Sequence, residues 1–323
     1  MVTLIKVDRR SAVLTPSSIA CLSRMPTVNL TSGCAHGCVY CYTRGYSTHP
    51  GEDKVVLYRN TLGKLKEELA HKRKRPQAVY FSPSSDLFQP VPEVLELGYR
   101  VLELLSSQGI GVAFLSKGHI PDKTMNLLLS HADKVRTQVG VITLDEDIQR
   151  MFEPNTASPW VRIEQIAKLV AGGIATEARL DPVLPGLTDS EEALQRLFSA
   201  LAKVGVKRAA ISVLFLRPGV VESLKRNIRD REVLQRLLGF YGDAKRMTIH
   251  AERSSVTALP LARREEIYMS ISRVAEEHGI EVVICACKNP DLAHGTCNIG
   301  GTWPKYPKSD AQPNLFDQEG TDL

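Results

Sequence analysis

No stretch of this 323-residue sequence holds the roughly 20 consecutive apolar residues that a membrane-spanning helix needs. Its first ten residues, MVTLIKVDRR, carry no signal-peptide core, so the sequence predicts a cytoplasmic protein with no membrane partner. Aromatic residues are scarce, at 6% with two tryptophans, and no aromatic stripe for stacking single-stranded nucleic acid stands out. Internal repeats are absent. Cysteine is too sparse for a disulfide-stapled scaffold, and the count of seven is odd. What remains, 43% hydrophobic and 24% charged residues, excludes a disordered chain and a collagen-like fibre. The net charge of +5 permits a polyanionic partner without demanding one.

From Thr27 onward, short apolar runs alternate with amphipathic segments. The runs predict strands at Thr27–Leu30, Ala78–Ser82, Gly111–Ser116, Val135–Ile142, Ile174–Leu180, Arg208–Val213 and Glu281–Cys285. Most lack polar alternation, which suits strands buried on both faces of a parallel sheet. Between them, Leu62, Leu65 and Leu69 share one helical face, as do Leu95, Val101, Leu102 and Leu105. Ile163, Ile166, Leu169 and Val170 mark another helix, and Leu194, Leu197, Phe198 and Leu201 the next. Gly172-Gly173 and Gly205 punctuate helix ends, and Asp189 or Ser190 is placed to cap a helix start. Repeated strand–helix–strand units predict an α/β fold. The expected architecture is a partial (β/α) barrel of about six parallel strands with helices outside, plus a C-terminal extension. We divide the chain into an N-terminal extension (1–24), a barrel core (25–220), an α/β extension (221–301) and a disordered tail (302–323). In such barrels the chemistry gathers at the C-terminal ends of the strands.

The loop after the first predicted strand reads Thr31-Ser32-Gly33-Cys34-Ala35-His36-Gly37-Cys38-Val39-Tyr40-Cys41-Tyr42. Three cysteines at C-x3-C-x2-C spacing are soft ligands for an iron–sulfur cluster or for zinc. A cubane cluster usually takes four thiolates, so three leave one iron open for a small chelating ligand. Gly33 and Gly37 free the backbone to turn around it. Zinc held by the three cysteines and His36 is the competing reading, although no second cysteine pair lies nearby.

This motif resembles that of the radical S-adenosylmethionine (radical SAM) superfamily, including the aromatic Tyr40 before the last cysteine. The resemblance implies a [4Fe–4S] cluster on Cys34, Cys38 and Cys41, with S-adenosylmethionine chelating the open iron. It implies reductive cleavage of that cofactor to a 5′-deoxyadenosyl radical, which abstracts a hydrogen atom from substrate. An electron donor such as flavodoxin or ferredoxin is implied as a partner. Four further segments resemble the spore photoproduct lyase-like group. They are Phe81-Ser82-Pro83-Ser84-Ser85-Asp86-Leu87-Phe88-Gln89-Pro90, Leu115-Ser116-Lys117, Glu153-Pro154 before a helix carrying Arg162, and Arg179-Leu180-Asp181-Pro182-Val183-Leu184-Pro185-Gly186.

Elementary chemistry suggests roles for the strand-end residues. The cofactor's amino group wants acceptors such as Ser84, Ser85 or Asp86, and its carboxylate wants a cation, Lys117 or Arg179. By resemblance, Lys117 matches a cofactor-carboxylate lysine. Gln138 can bond the ribose hydroxyls. Each has a structural alternative: a turn cap for Asp86, a solvated lysine for Lys117, and an ion pair with Asp181, Glu153 or Glu177 for Arg179. One departure stands out. Lyases of this group use a cysteine in the loop after strand two as a hydrogen-atom donor, and the corresponding stretch here has Ser84 and no cysteine. A serine O–H bond is far too strong to replace a thiol, so resemblance alone does not carry over thymine-dimer repair.

A second group, Cys285, Cys287 and Cys297, is a candidate site for an auxiliary iron–sulfur cluster or zinc, or a set of reactive or structural thiols. Cys21 stands alone and reads as a small buried residue. The run His71-Lys72-Arg73-Lys74-Arg75 reads as a solvated helix end or a nucleic-acid contact. Gln312-Pro313-Asn314-Leu315-Phe316 resembles the Q-x-x-L-F peptide by which bacterial repair proteins dock on the sliding clamp. The expected function is a radical SAM enzyme, with nucleic acid the favoured substrate class. The alternatives are modification of a small molecule or peptide, and a non-catalytic zinc protein that binds nucleic acid.

Overall fold

A computed structural model describes residues 2–17, 22–23, 25–250, 254–295, 299 and 303. In chain order its strands are β1 (Thr3–Val7), β2 (Thr27–Val28), β3 (Thr31–Ser32), β4 (Lys54–Tyr58), β5 (Ala78–Phe81), β6 (Gly111–Ser116), β7 (Val135–Gly140), β8 (Ala175–Val183), β9 (Arg208–Val213), β10 (Lys245–Ile249), β11 (Ser254–Ala258) and β12 (Glu281–Ile284). Its helices are α1 (Thr61–His71), α2 (Pro92–Ser107), α3 (Asp122–Leu129), α4 (Glu146–Phe152), α5 (Pro159–Ala171), α6 (Glu191–Lys203), α7 (Pro218–Asn227), α8 (Arg231–Gly239) and α9 (Leu261–Glu277).

All seven predicted strands form one sheet, in the order β12-β9-β8-β7-β6-β5-β2, and every neighbouring pair is parallel. The seventh strand, one more than the six expected in the core, is β12, whose Val282 and Val283 register with Ala209 and Ala210 of β9. Strands β2 and β12 are the two edges, so the barrel is open. The apolar runs behave as strands because all four residues of β5 and five of six in β9 are buried.

The helices bury the faces their spacing predicts. Leu194, Leu197, Phe198 and Leu201 of α6 are each at most 1% exposed. Burying such side chains stabilises the fold by about 1.5–3 kcal/mol each. Ser190, rather than Asp189, caps α6 by accepting from the Ala193 N–H; the Asp189 carboxylate accepts from Gly186 N at 2.7 Å instead. Gly173 and Gly205 adopt left-handed φ of +80° and +84° just before the next strands. The run His71–Arg75 lies exposed where α1 ends.

Two smaller sheets are additions to the predicted elements. β1 and β3 flank β4, parallel and antiparallel respectively, and β10 pairs with β11 as an antiparallel ribbon. β8 runs three residues past its predicted end, with a register irregularity between Leu180 and Val183. No helix among the described residues is long and apolar enough to cross a membrane. Cys21, Cys297 and the segment 312–316 lie outside the described residues.

Candidate active site

The cysteine loop leaves β3, which is pinned by pairing Thr31 and Ser32 with Leu57 and Val56 of β4. Gly33 turns at φ +80°, and a Cβ there would sit 2.4 Å from the Lys54 carbonyl oxygen, so only glycine fits without a shift. Gly37 turns at φ +67°. Arg44 reaches back to the carbonyls of Gly37 (3.1 Å) and Cys38 (3.2 Å), and Ala35 N donates to Gln89 Oε1 at 2.9 Å. These ties hold Cys34, Cys38 and Cys41, all half-buried, on the wall of one cavity of about 280 Å³. Burial pushes the Cys38 thiol up to about 12 against the pull of Lys117, and the Cys34 thiol rises through burial and the nearby Asp86.

Every described candidate side chain lines that same cavity: Tyr40, Ser84, Ser85, Asp86, Lys117, Gln138 and Arg179 with the triad, and Cys285 and Cys287 from the end of β12. Their present partners differ. Asp86 accepts from Phe88 N, Ser116 Oγ and Lys117 N, each at 2.8 Å, and lies 3.2 Å from His36 Nε2. The turn-cap alternative is thus realised and extended into a knot joining three loops. Burial opposes its ionisation, but His36 and the two backbone donors hold its carboxyl below the ordinary range. His36 also meets the Asn155 carbonyl through Nδ1 at 3.0 Å.

Lys117 is not a solvated lysine. Its Nζ lies 3.0 Å from Glu153 Oε1, donates to Tyr40 Oη at 2.6 Å and to the Asp181 carbonyl at 3.0 Å. Glu153 is fully buried and pairs also with Arg162 Nη2 at 2.6 Å. Burial alone would raise the Glu153 carboxyl, but Arg162 and Lys117 bring it down to about 2. Arg179 takes its ion-pair alternative, with Nη2 2.8 Å from Asp181 Oδ2, and donates to Gln138 Oε1 at 3.1 Å. Gln138 in turn donates to Glu177 at 3.0 Å. Asp181 also holds Lys288, at 2.7 and 2.5 Å, across 107 residues of sequence. Sequence reasoning missed Lys288, Arg44, Arg217 and Ser82, all of which line the cavity.

Two observations bear on what the cavity accepts. The buried hydroxyls Ser82 Oγ and Ser85 Oγ, both in its wall, have no hydrogen-bond partner among the described residues. Leaving such a group unmet costs about 1–3 kcal/mol, so the wall suits a ligand with polar hydrogens. Second, among the described residues no three His, Cys, Asp or Glu side chains converge closely enough for a single metal ion. Cys34, Cys38 and Cys41 are the soft thiolate donors on this wall, the donor type an iron–sulfur cluster takes.

Comparison with known proteins agrees with this chemistry. A family model for the Radical SAM superfamily matches residues 28–198, more than half of the chain. An uncharacterized protein of Mycobacterium tuberculosis is 30% identical over 227 residues, 67% of this chain and 66% of that protein, slightly under two thirds of its length. The radical SAM Nalpha-GlyT isomerase of Pseudomonas phage M6 is 27% identical over 173 residues, 53% of this chain and 35% of the isomerase. Spore photoproduct lyase complexed with dinucleoside spore photoproduct superposes with a TM-score of 0.65 at 17% identity, covering 88% of this chain and 82% of the lyase, which shows a shared fold. This chain belongs to the radical SAM superfamily.

Proposed function

We propose that this enzyme performs radical chemistry on nucleic acid, using a [4Fe–4S] cluster held by Cys34, Cys38 and Cys41 and S-adenosylmethionine bound beside it. The observation that carries the reading is the single cavity that joins the cysteine triad to a cationic, partly aromatic wall. Arg44, Lys117, Arg179, Arg217 and Lys288 line it against two carboxylates, Asp86 and Asp181, among the described residues. Glu52 and Glu153 pair with Arg44 and Lys117 from outside the lining, and the net positive charge that remains attracts an anionic substrate. Tyr42 adds an aromatic ring beside two of these cations, 5.7 Å from the Arg217 guanidinium and 6.0 Å from Lys288 Nζ. The lyase with its dinucleoside ligand supports the choice of class.

Held by Cys34, Cys38 and Cys41, a reduced cluster with S-adenosylmethionine beside it would supply the hydrogen-abstracting chemistry. The protein's own residues bind and orient. Ser82 and Ser85, with Ser84 nearby, are the acceptors for the cofactor's amino group. Arg179 and Lys117 present positive charge to its carboxylate while remaining tied to Asp181 and Glu153. Gln138, held between Arg179 and Glu177, would bond the ribose hydroxyls. Cys285 and Cys287 extend the proposal to a second metal, iron–sulfur or zinc, with Cys297 as the third thiolate.

Anaerobic incubation of the reduced enzyme with S-adenosylmethionine and mixed oligonucleotides tests this. Mass spectrometry is expected to find 5′-deoxyadenosine whose yield rises with nucleic acid, together with an altered nucleoside. A yield that responds instead to peptides or small metabolites would replace the substrate class and keep the chemistry.

A further inference from the structure

Five contacts tie the cysteine loop to one short turn, Phe152–Asn155, over sequence separations of 113 to 120 residues. Val39 N donates to the Phe152 carbonyl at 3.0 Å, and Asn155 N donates to the His36 carbonyl at 3.2 Å. Asn155 Nδ2 donates to the Ala35 carbonyl at 3.0 Å, and His36 Nδ1 meets the Asn155 carbonyl at the same distance. The fifth is the Tyr40 hydroxyl on Glu153 Oε1. The turn is itself rigid. Gln149 Nε2 donates to the Glu153 carbonyl at 2.8 Å, and Arg162 binds the carbonyls of Ala157 and Gly140, both at 2.7 Å.

Glu153 is the one acidic member of this template, and no part of it reaches solvent. It neutralises one of its two cationic partners, half-buried Lys117 and buried Arg162, so the three together carry a surplus of one positive charge. That surplus faces the triad: Lys117 Nζ lies 4.7 Å over the Tyr40 ring and lines the same cavity wall as Cys38. A buried carboxylate with two cationic partners and a tyrosine is costly to assemble, and it recurs nowhere else among the described ion pairs.

We infer that Glu153 is the positioning residue of the cluster-binding loop: it seats Tyr40, the neighbour of Cys41, and holds the Lys117 ammonium beside Cys38. One buried carboxylate thereby sets both the shape of the loop and the charge felt by the cluster. The inference rests on the cluster assignment above. Its sign follows from Coulomb's law. Removing the negative charge favours the more negative, reduced cluster, whereas removing the Lys117 charge favours the oxidised one. A purely structural role predicts no such opposition.

The test uses full-length protein reconstituted anaerobically with iron and sulfide, as wild type, E153Q, E153D, K117Q and Y40F. Iron and sulfide content and an EPR-monitored redox titration are read. The midpoint potential is expected to move positive in E153Q and negative in K117Q, with E153D closest to wild type. Y40F is expected to lose iron to a chelator several-fold faster than wild type. If E153Q fails to fold, K117Q and Y40F decide by the same criteria. Loaded variants whose potentials and iron-loss rates equal those of the wild type overturn the inference alone. A wild type that takes up neither iron nor sulfide overturns the cluster assignment, and this inference with it.

Discussion

Glu153 Oε2 and Arg162 Nη2 lie 2.6 Å apart, with both side chains at most 1% exposed. Breaking a buried pair from one side costs about 3–5 kcal/mol, because the surviving charge loses its partner. The Glu153 carboxyl is depressed from 4.5 to about 2 in the folded chain. A depressed carboxyl contributes stability that is present above its unfolded value and lost as pH falls through the folded one. Thermal melts of the metal-free protein are therefore expected to drop steeply as pH falls from 4.5 toward 2. Asp86 and Asp181, also held low, add to the slope. E153Q is expected to melt lower at pH 7 but to show a shallower acid slope. An unchanged slope would remove Glu153 from the acid response.

The cysteine triad has a sharper expectation. Cys34, Cys38 and Cys41 are only partly buried and lie in a loop, so alanine at each leaves the barrel core intact. The triple variant is expected to keep its helical circular dichroism and melt within a few degrees of metal-free wild type. It should form no 5′-deoxyadenosine with dithionite and S-adenosylmethionine. Continued cofactor cleavage would place the cluster elsewhere.

The legible and illegible parts divide by sequence distance. All seven sheet strands were readable, because each is a short apolar run between amphipathic helices. The triad was readable because its ligands sit within eight residues. The role of Glu153 was not, since its meeting with Tyr40 spans 113 residues and both types occur throughout the chain. The Asp181–Lys288 pair is hidden in the same way. β1 and β4 escaped notice because β1 is mostly exposed, and its TLIKV pattern gives no buried run. For Asp86 and Arg179 the type of contact was foreseen as an alternative, but the geometry was needed to choose it.

Cys285 and Cys287 are buried on the cavity wall, so they meet whatever the cavity holds. If they and Cys297 bind a second metal, the triad-deleted protein should retain iron with sulfide, or zinc. Replacing all three C-terminal cysteines should remove that remainder. A triad-deleted protein with no metal would assign these residues to thiol chemistry or packing.

Leu315 and Phe316 form an isolated apolar pair in a polar segment. As a docking peptide, the pair would contribute about 3–5 kcal/mol before ordering costs. A synthetic peptide spanning Asp310–Gln318 is expected to bind the bacterial sliding clamp weakly, and its double-alanine form not to bind. Equal behaviour of the two peptides would sever the link to replication and repair. A lower melting temperature for the full-length double variant would show that the pair packs on its own chain.

Gly33 and Gly37 bracket the first cysteine turn, and they differ in a way that separates backbone strain from steric conflict. Both have positive φ, so alanine at either carries the left-handed penalty of roughly 1–2 kcal/mol. At Gly37 the new methyl would find its nearest neighbour, Asn155 Nδ2, at 3.4 Å, an ordinary contact. At Gly33 it would meet the Lys54 carbonyl oxygen at 2.4 Å and Pro50 at 2.7 Å. Neither neighbour gives way easily, because Lys54 is fixed in β4 against β1. G37A is expected to lower stability by the backbone term alone and still take up iron. G33A should push the loop off β4, cost a further 1–3 kcal/mol or so by overpacking, and reduce cluster content several-fold. Equal iron content and equal melting temperatures in the two variants would mean that the close approach of Gly33 to β4 does not set the position of Cys34.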